Sequence, residues 1–156
     1  MNSTLVFALV FGIGIVAGLR SCTAPAVVCW GAYLQWFSLQ GSPLHFMASL
    51  IAVCIFTILA VVELVGDKLP STPNRTAAVG LGARIVLGGL AGATLAVAGG
   101  QAGIAGAVIA AVGALAGTLG GFHFRRALSQ TLPPVVAALV EDVIAVGGGL
   151  LLVSRM

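Results

Sequence analysis

Charge is what this sequence has least of. Only 7% of its 156 residues are ionised side chains, seven Lys and Arg against four Asp and Glu. A water-soluble domain carries roughly a quarter. Hydrophobic residues make up 60% and mean hydropathy is +1.17, which excludes a soluble domain and indicates one integral membrane unit over residues 1–156. The net charge of +3 is scattered and has no aromatic interleaving. It reads as a topology signal and excludes a nucleic-acid surface as partner.

Motifs for chemistry are also missing. The three cysteines, Cys22, Cys29 and Cys54, form neither CxxC nor a His-spaced pattern, so no metal site and no disulfide framework is expected. His45 and His123 stand alone near segment ends. No GxGxxG follows a strand, no Walker pattern exists, and no HExxH occurs. Ser21, Ser71 and Ser129 lack positioned His and acid partners, so the expectation is a non-enzyme without a cofactor. Nothing positive precedes the first apolar run, which argues against a cleaved leader. In LRSC, Arg20 stands where a lipoprotein box needs a small residue.

What the sequence does have is apolar segments. Six can be read: Thr4 to Leu19, Ala24 to Leu39, Leu44 to Val65, Ala77 to Ala98, Gln101 to Phe122, and Leu132 to Val153. This predicts an all-α polytopic bundle of about six spanning or re-entrant segments, since a span needs about 20 residues. Pro25 suits the first turn of the second segment, which is short enough to be either a thin span or a re-entrant hairpin. Trp30, Tyr33 and Trp36 are expected on one helical face near its far end, as interfacial anchors. Pro70 and Pro73 separate segments three and four. Gly88 with Gly92, and Gly99, Gly103, Gly113, Gly117 and Gly121, give small faces on which helices approach closely, within the chain or in a homodimer.

The few charges are placed where they are costly. Glu141 and Asp142 lie side by side near the middle of the last segment, where each acid costs on the order of 3 kcal/mol. Adjacent helical residues point about 100° apart, so the two acids must serve different partners. Glu63 and Asp67 are four apart and share a face near the end of segment three. Arg20, Arg84 and Arg126 are the candidate counter-charges, with Arg84 equally able to snorkel to the interface.

Six spans with an external amino terminus place Arg20, Lys68, Arg75, Arg125 and Arg126 inside and Arg155 outside. That obeys the positive-inside rule, with both termini external or periplasmic. Two internal echoes compete. VVELVGD and LVEDVIA suggest a three-plus-three inverted repeat, whereas Arg20…Pro25-Ala-Val-Val and Arg126…Pro133-Pro-Val-Val would run in the same direction.

Taken together, GLRSCTAPAVV, ELVGDKLPSTPNRT and GTLGGFHFRRAL followed by ALVEDVIAV resemble a family of small bacterial membrane proteins catalogued as a domain of unknown function. The resemblance covers almost the whole chain. It implies a multi-span bundle with Arg20, Glu63, Asp67, Pro70, Arg84, Glu141 and Asp142 as a polar signature. It implies no activity.

The leading functional reading is therefore drawn from the residues. It is a small transporter or channel-like permease for a small solute or ion. Glu141 and Asp142 form a midplane proton or cation site, Glu63 and Asp67 a cytoplasmic acidic site, and the arginines their counter-charges. The alternatives are static ion pairs that fix helix register, or arginines that hold an anionic membrane lipid.

Overall fold

The computed structural model describes residues 2–66, 78–130 and 132–156, and among these it contains helices and no strand. Six α-helices follow one another: α1 Ser3–Leu19, α2 Thr23–Tyr33, α3 Leu50–Gly66, α4 Ala78–Ala98, α5 Gly103–Leu128 and α6 Pro134–Val153. A 3₁₀ segment, Pro43–Ala48, precedes α3. Within α4, α5 and α6 the stretches Val79–Ala98, Gly103–Leu128 and Val135–Val153 are long and apolar enough to cross a bilayer, while α1 and α3 are apolar but shorter. The protein is a helical membrane bundle.

Local chemistry sets the helix ends. The Asn2 side chain accepts a hydrogen bond from the Thr4 amide and caps α1. Pro134 opens α6, where its missing N–H costs nothing. Past α4, Gly100 adopts φ +72 and the amides of Gly100 and Gln101 bond back to Val97 and Ala96, closing the helix with a left-handed cap.

The same closure ends α2 early. Gln35 takes φ 59, and the amides of Gln35 and Trp36 bond to Ala32 and Gly31. Trp36 therefore lies outside the helix, so the expected face of three aromatics reduces to Trp30 and Tyr33, which meet edge-on with ring centroids 6.3 Å apart. With 11 residues, α2 is about 16 Å long, half of a hydrocarbon core of about 30 Å. The helix of the second segment thus ends at Tyr33, six residues short of the expected Leu39. It runs antiparallel to α3, since the α2 start meets Glu63 and Trp30 Nε1 donates to Thr57 Oγ1 at 3.0 Å.

Helices α1, α4 and α5 form the tight centre, and glycine makes it. A Cβ at Gly14 or Gly18 would collide with the Ala110 or Ala114 carbonyl of α5, and one at Gly113 or Gly117 with the Phe11 or Ile15 carbonyl of α1. The approach is reciprocal and parallel. Thr118 Oγ1 crosses it to the Gly18 carbonyl at 3.3 Å. Gly92 and Gly106 do the same between α4 and α5. The glycines expected to serve a homodimer, Gly92, Gly113 and Gly117, are thus used inside the chain. On the other side of α1, Gly12 meets Leu152 and Val16 lies near Gly149, which seats α6 antiparallel to α1.

Candidate functional site

The site is built around the α1–α2 turn, Arg20-Ser21-Cys22. A helix start leaves amide N–H groups without intrahelical acceptors and carries partial positive charge. At α2 that need is met by Glu63 of α3. Its Oε1 accepts from the Ser21 amide at 2.8 Å and from Ser21 Oγ at 2.6 Å, and its Oε2 accepts from the Cys22 amide at 2.8 Å. Glu63 is therefore a cap that joins α3 to α2. Of the cytoplasmic acidic site expected of Glu63 with Asp67, the structure describes Glu63 alone. Asp67, like Lys68, Pro70, Pro73 and Arg75, lies outside the described residues.

Burial and this carboxylate together push the Cys22 thiol up from its usual range, burial being the larger cause.

One residue earlier, Arg20 turns into the bundle, fully buried. Its Nη2 lies 2.6 Å from Asp142 Oδ1, with the aspartate side chain 12% exposed. The turn thus holds α3 through Glu63 and α6 through Asp142. Both acid-bearing segments meet at this turn, Glu63 from the last turn of α3 and Asp142 from the middle of α6.

Glu141 points elsewhere, as helical geometry requires of adjacent residues. Its side chain is 1% exposed and its Oε2 lies 3.9 Å from Arg125 Nη1. The expected partner, Arg126, is instead exposed and lines a shallow recess with Phe122, Arg125 and Ser129. The physical reason is register. Residues 125 and 126 differ by about 100° around α5, and only the first is turned towards α6. Arg84 is buried, 6% exposed, so its guanidinium stays within the bundle and does not snorkel outward.

Beside Glu141 runs a cleft of about 250 Å³ between α1, α5 and α6, walled by Ile15, Leu19, Gly120, Phe124, Glu141 and Ile144. Among the described residues that line it, Glu141 is the one that is ionisable, and its side chain is buried. Helices α5 and α6 touch at few points despite being consecutive, so the cleft opens on the side of the bundle.

The structure brings together Arg20, Glu63, Glu141 and Asp142 of the residues singled out in the sequence, and adds Ser21, Cys22 and Arg125. The backbone role of Ser21 and Cys22 left no side-chain signal to read. The Gly14-x₃-Gly18 spacing on α1 did, in the same code as Gly88-x₃-Gly92.

Fold and site define a helical integral membrane protein with a buried charge cluster beside its α1–α2 turn. Residues 7–154 match the family described as a domain of unknown function (DUF4126), and the chain belongs to it. Comparison with curated proteins and with solved structures gave no match.

Proposed function

We propose that the protein is a small permease of the bacterial cytoplasmic membrane in which Glu141 is the proton- or cation-binding group. One observation carries this reading: two adjacent acids of a helix long and apolar enough to cross a membrane are both buried, Asp142 at 2.6 Å from Arg20 and Glu141 at 3.9 Å from Arg125. An acid buried within a span is costly to keep there unless it serves a partner or an ion. Arg125, 28% exposed at the end of α5, is a cation with room to move. Arg20, Arg125 and Arg126 at one end of the bundle, with Arg155 at the other, support cytoplasmic placement of the charged end and external termini.

The test is proton movement in liposomes, followed with an entrapped pH dye under an imposed potential. Glu141→Gln is expected to abolish flux while the protein still elutes as a folded species. Wild-type flux in that variant refutes the reading. Asp142 and Arg20 take the structural role of an ion pair that fixes α6 against the α1–α2 turn. Charge exchange, Arg20→Asp with Asp142→Arg, is expected to recover stability that either single change loses.

A further inference from the structure

We infer that the C-terminal end of α5 holds an anionic phospholipid, its phosphate among Arg125, Arg126 and Ser129 and an acyl chain along Phe122, Leu119 and Leu115. This goes beyond the permease reading and does not depend on it.

The first argument is depth. With 26 residues α5 is about 39 Å long, which exceeds a hydrocarbon core of about 30 Å by roughly six residues. Counted from Gly103, the core ends at about residue 123, so Arg125, Arg126 and Ser129 stand at the level of lipid phosphates.

The second is charge. Phe122, Arg125, Arg126 and Ser129 line a recess of about 240 Å³, and no acid is among the described residues that form it. Arg126 is exposed and takes part in no ion pair among the described residues. Arg125 is 28% exposed, and its separation of 3.9 Å from Glu141 is too long for a hydrogen bond, so that acid does not use up its N–H groups. Guanidinium groups grip phosphate oxygens in bidentate pairs, and the exposed Ser129 adds a hydroxyl donor. A helix C-terminus carries partial negative charge, which two full positive charges outweigh.

The third is an apolar strip that continues from the recess. Leu115, Leu119, Phe122 and Arg126 are spaced by four, three and four residues, which places them on one face of α5. The three apolar members are 39%, 58% and 40% exposed. From Arg126 to Leu115 the strip runs about 16 Å, close to the depth of one hydrocarbon leaflet, about 15 Å. A soluble anion would use the recess alone, and a zwitterionic lipid would bring a cation to the same arginines. An anionic phospholipid uses both recess and strip.

The test is native mass spectrometry of the full chain released from detergent and titrated with phosphatidylglycerol or phosphatidylcholine of matched chains. Phosphatidylglycerol is expected to bind at least fivefold more tightly. Arg126→Ala is expected to weaken its binding about fivefold, and Arg126→Glu to remove the preference. Arg126 is exposed, so both variants are expected to fold. Arg155→Ala, which removes the exposed arginine at the carboxyl end of the chain, is expected to leave the preference unchanged. Glycerol phosphate, the headgroup without chains, is expected not to displace the lipid at equal concentration. Equal affinity for the two lipids, a preference that survives Arg126→Glu, or an equal loss in Arg155→Ala overturns the proposal. Displacement by glycerol phosphate also overturns it, because the recess would then be a site for a soluble anion.

Discussion

Arg20 is the fully buried cation of the bundle's charged end, and its ion pair with Asp142 is worth most when broken. Removing one partner leaves the other charge without compensation at a desolvated position. Asp142→Ala is therefore expected to destabilise the protein by about 3–5 kcal/mol, measured by denaturant titration in mixed micelles. Replacing both partners, Arg20→Met with Asp142→Leu, is expected to recover most of that loss, because the apolar pair has no desolvation cost. A second residue-scale prediction concerns Cys22. Burial raises its thiol, and the Glu63 carboxylate raises it further. A raised thiol is less ionised at a given pH, so Cys22 is expected to alkylate slowly near pH 8. Glu63→Gln removes the negative neighbour, lowers the thiol towards its ordinary range and increases the thiolate fraction. The alkylation rate measured against pH should shift to lower pH in that variant.

At the scale of the element, the reciprocal glycines of α1 and α5 decide how closely the central helices approach. Gly18→Ala sets a methyl against the backbone of Ala114, Gly117 and Thr118, where nothing flexible can yield. The expected cost is about 1–3 kcal/mol. Gly147 faces open space, so Gly147→Ala is expected to gain about 0.5–1 kcal/mol from helix propensity alone. Opposite signs for the two substitutions, in the same unfolding assay, check the packing. Elements are also where the sequence is most readable. The last three segments are found within a few residues of α4, α5 and α6, because long apolar runs have few other fates in a bilayer. Helix α5 continues to Leu128, past the expected Phe122, because Arg125 and Arg126 favour the negative end of a helix. The early stop of α2 is less legible, since it depends on Gln35 accepting a left-handed backbone, which glycine does more readily. In the site, Glu141 and Asp142 are conspicuous because acids are rare in spans. The roles of Glu63 and Arg125 are hidden, since they depend on a helix start across the bundle and on the rotation of α5.

At the scale of the whole molecule, the charge distribution predicts an arrangement that labelling can check. With Cys22, Cys29 and Cys54 replaced by serine or alanine, a cysteine at Ser154 is expected to react with an impermeant maleimide from outside intact cells. One at Ser129 should react only after permeabilisation. The reverse pattern refutes the proposed placement of the termini. The shortness of α2 also bears on how the chain is made. An 11-residue helix is too brief to be recognised by a translocon as a span of its own. It is expected to enter the bilayer as half of a hairpin with α3, its longer apolar partner. The grip of Glu63 on the Ser21 and Cys22 amides then closes the open end of that hairpin, so its insertion and its capping become a single event in biogenesis.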